Sequence, residues 1–111
     1  MPIQKKDINI TVELDEANIP SDIIWQAADM EGRDEAHCRA MLLSFWDAKN
    51  KDTLKLDLWT REMTVDEMKI FFHQTLVTMA DTLERATNDE RISNDMRDFC
   101  AYFAEKMEIS G

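Results

Sequence analysis

With 111 residues, 44% of them apolar, the chain has the size and composition of a single globular domain, residues 1–111, with a core of its own. Its 23 acidic against 13 basic side chains give a net charge of −10, which disfavours nucleic acid and anionic membrane surfaces, since both are bound by neutralising phosphate. Only two glycines occur, one of them the terminal Gly111, so the glycine-rich loops that cradle phosphates are excluded.

Ile8, Ile10, Val12 and Leu14 alternate with Asn9, Thr11 and Glu13, the period of a strand with one covered face. Asp15 to Asn18 has turn chemistry, and Ser21 after Pro20 is placed to cap a short helix carrying Ile23, Ile24 and Trp25. Gly32, the only internal glycine, suits a tight turn with positive φ. From Cys38 to Trp46 both faces are apolar, with Ala40, Leu42 and Trp46 on one and Met41, Leu43 and Phe45 on the other, as in a strand covered on two sides. After the polar stretch Asp47–Asp52, where Asn50 is the most turn-prone residue, Leu54, Leu56 and Leu58 alternate with Lys55, Asp57 and Trp59. The two segments predict a β-hairpin with a loop of about four to six residues.

Thr64 and Glu67 form a capping box that opens a long helix. Val65, Met68, Phe72, Leu76, Met79, Leu83 and Ala86 fall on one of its faces. Asn88 and Asp89 end it, and Ser93 is placed to cap a last helix with Met96, Phe99, Cys100, Phe103 and Met107 on its apolar stripe. The expected fold is α+β: an antiparallel sheet of about three strands, a short helix between strands 1 and 2, and two C-terminal helices packed on one face of the sheet.

Chemistry-bearing residues are sparse. Cys38 and Cys100 have no metal-ligand or redox spacing, and Cys100 on an apolar stripe reads as a small hydrophobe. His37 and Cys38 are adjacent on a strand, so their side chains point to opposite faces and do not form a nucleophile–base pair. His73 lies at the border of the long helix's stripe and reads as a structural histidine, since acid–base work needs a second titratable group converging on it. Asp29, Glu31, Asp34 and Glu35 around Gly32 lack the glycine and glutamate positions of a calcium-binding EF-hand and read as a solvated acidic loop. No catalytic, cofactor or metal site is expected. The N-terminal MPIQKKDINITVEL has no apolar signal-peptide core, and no stretch approaches the roughly 20 apolar residues of a membrane span, so the expected compartment is the cytoplasm. The remaining candidate is a surface: Met41, Leu43, Phe45 and Trp59 are expected together on one sheet face, opposite Leu54, Leu56 and Leu58, as a partner or self-association site.

Four long strings carry a resemblance: VELDEANIP from Val12, SFWDAKNKDTLKLDLWT from Ser44, MTVDEMKIFFHQTLVTMADTLERAT from Met63 and ISNDMRDFCAYFAEKME from Ile92. Together they make the chain similar to the gliding motility-associated GldC family over about Ile8 to Ile109. That resemblance implies a non-enzymatic accessory role in bacterial gliding, exercised through contacts with motility components or the secretion system tied to them. It brings no catalytic or cofactor residues. A small ligand-binding domain and a structural homo-oligomer are the alternatives.

Overall fold

A computed structural model of the chain describes residues 3–27 and 35–109. Gly32 and the acidic segment around it, Glu35 excepted, lie outside the described residues. The chain divides into two compact units, Met1–Met63 and Thr64–Gly111.

Among the described residues the first unit holds five strands: β1 (Ile8–Leu14), β2 (Pro20–Ala27), β3 (Ala36–Cys38), β4 (Ala40–Asp47) and β5 (Asp52–Trp59). They form two antiparallel sheets, β1-β2-β3 and the ribbon β4-β5, in place of one sheet of three strands. The expected short helix is strand β2. Two successive β-branched residues, Ile23 and Ile24, followed by Trp25, favour extended backbone, and Ile23 and Trp25 meet Val12 and Ile10 across the β1–β2 pair. Ser21, read as a helix cap, donates its hydroxyl to the Glu13 carbonyl at 3.2 Å across the same pair.

The β1–β2 turn is held by one side chain. The Asp15 carboxylate accepts from the backbone N–H groups of Ala17 (2.8 Å) and Ile19 (3.0 Å), while Asn18 takes the left-handed conformation at φ 61°. Arg61 pairs with the same carboxylate at 3.1 Å. The hydrogen bond from Ile19 and the Arg61 charge are among the causes that hold Asp15 below the usual carboxylate pKa.

Arg39 breaks the long apolar strand between Cys38 and Ala40. On one side of the break β3 pairs with β2; on the other β4 pairs with β5. A bend at a single residue thus carries the chain from one sheet into the next. Thr60 N–H donates to the Arg39 carbonyl at 2.7 Å and extends the ribbon to the break. The hairpin is as expected, its loop four residues long (48–51) between Asp47 and Asp52. Asp47 organises it by accepting from Lys49 N–H and from the Asn50 side-chain amide, at 3.0 and 2.8 Å, and the left-handed position falls on Lys51 rather than Asn50.

The second unit is a helical hairpin of α1 (Val65–Thr87) and α2 (Glu90–Lys106). The capping box forms as expected: Thr64 Oγ1 accepts from Glu67 N–H at 3.0 Å, and Glu67 Oε1 accepts from Thr64 N–H at 3.1 Å. Asn88 ends α1 in the left-handed conformation. Asp89, not Ser93, caps α2; Ser93 sits buried one turn in, its hydroxyl donating to the Asp89 carbonyl at 2.8 Å. Small residues allow a close helix crossing, with Ala80, Ser93 and Cys100 all buried. Arg97 bridges the helices from the flank, bonding Asp81 and Glu84 at 2.9 Å each.

Ala80 lies one residue, roughly 100° around the helix, from Met79. The buried line of α1 is therefore offset from its apolar stripe, and Val65, Phe72 and Met79 of that stripe are exposed.

Candidate functional site

Register decides which side chains share a sheet face, because directly opposed residues in an antiparallel pair project to the same side. In the ribbon, Met41 faces Leu58, Leu43 faces Leu56 and Phe45 faces Leu54. Trp59 faces Ala40. Of the four residues expected to form one surface, three lie together and Trp59 lies on the other side. Leu54, Leu56 and Leu58, expected opposite them, are their direct neighbours.

The two ribbon faces differ in chemistry. One is aliphatic and aromatic along most of its length, with Met41, Leu43, Phe45 and their three leucine partners, of which Phe45 is 59%, Leu54 55% and Leu56 48% exposed, and with the Asp47–Asp52 pair at its hairpin end. The other mixes Leu42, Trp46 and Trp59 with Ser44, Thr53, Lys55 and Asp57, and its two tryptophans are exposed as well. Leucines pairing across a two-stranded ribbon bury little of themselves, so this is apolar surface awaiting a cover.

The three-stranded sheet carries a compact titratable cluster. His37 pairs with Ile24 across β2–β3, which puts it on the same face as Asp22. Its Nδ1 lies 2.8 Å from Asp22 Oδ2, and its Nε2 lies 3.4 Å from Glu35 Oε1. The Asp22 hydrogen bond and charge, helped by Glu35, raise the His37 pKa above its ordinary value. Cys38 pairs with Ile23 and so lies on the opposite, apolar face, as the sequence requires of neighbours on a strand. His37 is exposed and held by carboxylates, an arrangement for a cross-strand ion pair.

In the helical unit His73 stacks on Phe103, with ring centroids 6.3 Å apart and planes 15° from parallel. That contact makes it a packing residue between the two helices. A groove of about 250 Å³ opens between Leu76 of α1 and Ile92, Met96, Phe99 and Cys100 of α2, with Asp95 at its border. Among the described residues no group of three or more His, Cys, Asp or Glu side chains is placed to hold a metal ion. Among them too, no helix is long and apolar enough to cross a membrane.

Neither curated proteins nor solved structures include a significant match to the chain. A family model described as gliding motility-associated protein GldC-like does match, over residues 20–109, which takes in β2 to β5 and both helices. On that match, which spans most of its length, the chain belongs to the GldC-like family of gliding motility-associated proteins.

Proposed function

We propose that this chain serves gliding motility as a non-enzymatic accessory protein, working through contacts with other proteins of the motility apparatus. Family membership supports the cellular role. The observation that carries the mode of action is the aliphatic face of the ribbon, where Phe45, Leu54 and Leu56 each leave about half or more of their surface open to solvent. An interface core of Met, Leu and Phe with few charges is the composition that protein partners bury. Lys55 and Asp57 lie on the reverse face, and the charges on the aliphatic side, Asp47 and Asp52, sit at the hairpin end beyond Phe45 and Leu54, where they stay solvated at the rim of an interface.

The test is complementation of a deletion strain with full-length variants whose fold is confirmed by circular dichroism. Phe45→Asp with Leu54→Asp puts two carboxylates on the aliphatic face. Trp46→Asp with Trp59→Asp does the same on the mixed face. The expected result is loss of gliding with the first pair, together with loss of motility components from affinity-purified complexes, while the second pair retains most of its function. Gliding at wild-type speed with both folded variants would sink the proposal.

A further inference from the structure

The outer edge of β5 is a separate matter from the ribbon's faces. Among the described residues β5 is hydrogen-bonded to β4 alone, so its other edge presents a row of backbone donors and acceptors with no strand beside it. Edges of this kind are usually shortened, bulged, interrupted by proline or guarded by charge, and of these β5 has only its charges, Lys55 and Asp57 near the middle and Asp52 at the start. Here the edge runs eight residues, without proline or glycine, and its register with β4 is unbroken. By contrast, the β1 edge is kinked by a register shift between Glu13 and Leu14, and β3 is three residues long. A two-stranded ribbon is marginal by itself, and additional strands make it stable.

We infer that β5 is a self-association edge: two copies of the chain join β5 to β5, antiparallel about a two-fold axis at Leu56, and fuse two ribbons into one four-stranded sheet. The sequence of the strand, Asp-Thr-Leu-Lys-Leu-Asp-Leu-Trp, is self-complementary in this register. Leu56 meets Leu56 of the second copy and Leu54 meets Leu58, which keeps the aliphatic face continuous. On the reverse face Lys55 meets Asp57 of the second copy, and the symmetry repeats that pair. Neither Lys55 nor Asp57 is in an ion pair among the described residues, so both charges are available.

Neighbouring registers fail for physical reasons. A slip of one residue sets leucines against polar side chains and turns the aliphatic row to the wrong face. A shift that centres the axis on Lys55 or Asp57 places like charges directly opposite, which is destabilising. The β4 edge has no such pair, since Asp47 is its only charge. With −10 on each copy, long-range repulsion opposes assembly, and the role of the Lys55–Asp57 pairs is to fix register and orientation.

Analytical ultracentrifugation of the full-length chain over a concentration series tests the pairing. The wild type is expected to pass from monomer to dimer. Lys55→Asp and Asp57→Lys, each exposing the second copy to two like-charge contacts, are expected to raise the dimer dissociation constant about 30-fold. An equimolar mixture of these two variants restores opposite charges at every contact and is expected to recover the dimer mass. The double exchange, Lys55→Asp with Asp57→Lys, is expected to dimerise as the wild type does. If a single variant is unfolded, the double exchange decides. A wild type that stays monomeric throughout, single variants that dimerise undiminished, or a double exchange that stays monomeric while folded would each overturn the inference. So would a dimer broken by Phe45→Asp but not by the charge reversals, because that places self-association on the ribbon's face.

Discussion

The two sheets of the first unit solve the same packing problem differently. In β1-β2-β3 most apolar side chains fall on one face, with Ile8, Ile10, Val12, Ile23, Trp25 and Cys38 in register, and the reverse carries Asn9, Thr11, Glu13, Asp22 and His37 together with Ile24. One cover finishes such a sheet, and Ile23 at its centre is already 1% exposed. The β4-β5 ribbon has large apolar side chains on both faces and has none of them buried: Phe45 and Leu54 stand open on one side, Trp46 and Trp59 on the other. A strand pair that is apolar on both sides needs two covers. The contrast marks the ribbon as the region with large exposed apolar side chains on both of its faces.

The largest test of the contrast is a matched pair of truncations. Ile23→Ala removes a buried branched side chain and is expected to cost about 3 kcal/mol, read as a fall in the urea midpoint at unchanged slope. Leu56→Ala in the ribbon, at 48% exposure, is expected to cost less than about 1 kcal/mol in dilute protein. Equal losses would mean that the ribbon is as deeply covered as the sheet in solution, and the comparison would fall.

Much of this arrangement was legible in the residues. The α+β class, the hairpin, the capping box at Thr64 and the opposed directions of His37 and Cys38 all follow from local pattern. Strand β2 did not, because a serine after a proline mimics a helix start, and the alternation that contradicts it, Ile23-Trp25-Ala27, is blurred by Ile24. The composition of the ribbon face turned on one count. With a loop of four residues, 48–51, odd positions of β4 meet even positions of β5, so Phe45 joins Leu54. A loop of five would have reversed the parity and set Trp59 beside Met41, the arrangement that the expected surface requires. Loop length within the four-to-six range is fixed by turn geometry, by Asp47 and Lys51 here, and composition alone does not count it.

That loop offers a second, smaller test. Lys51 holds φ 52°, a conformation that costs a residue with a β-carbon roughly 1 kcal/mol. The corresponding turn of the three-stranded sheet uses Asn18 at φ 61°, a residue type that tolerates it. Lys51→Gly is therefore expected to stabilise the ribbon by up to about 1 kcal/mol, and Asn18→Gly to change the sheet by a few tenths at most. Thermal unfolding of the two variants measures both. A larger gain at Asn18 than at Lys51 would mean that the sheet's turn, not the ribbon's, is the strained one.

The smallest effect separates the two regions by pH. Both turns depend on a carboxylate held below its ordinary pKa, Asp15 chiefly by the Ile19 hydrogen bond and Asp47 chiefly by those from Asn50. Their contributions are present above the unfolded pKa of about 3.9 and are lost as pH falls through the lowered values, so acid weakens sheet and ribbon alike. His37 works in the other direction and belongs to the sheet only. Its pKa is raised in the folded chain, first by the Asp22 hydrogen bond, so its contribution is fully present below the unfolded value of about 6.5 and is lost as pH rises through the raised one. In a nuclear magnetic resonance titration the His37 ring is expected to protonate above 6.5, and Asp22→Asn to bring its midpoint back down. Amide protection along β3, taken relative to the intrinsic base-catalysed exchange rate, is expected to fall across that same interval in the wild type and to lose this pH dependence in Asp22→Asn, with protection in β4 and β5 unchanged in both. A His37 midpoint at or below 6.5 would show that the cross-strand pair does not persist in solution. The sheet would then have no pH response that the ribbon lacks, and the two would differ in apolar burial alone.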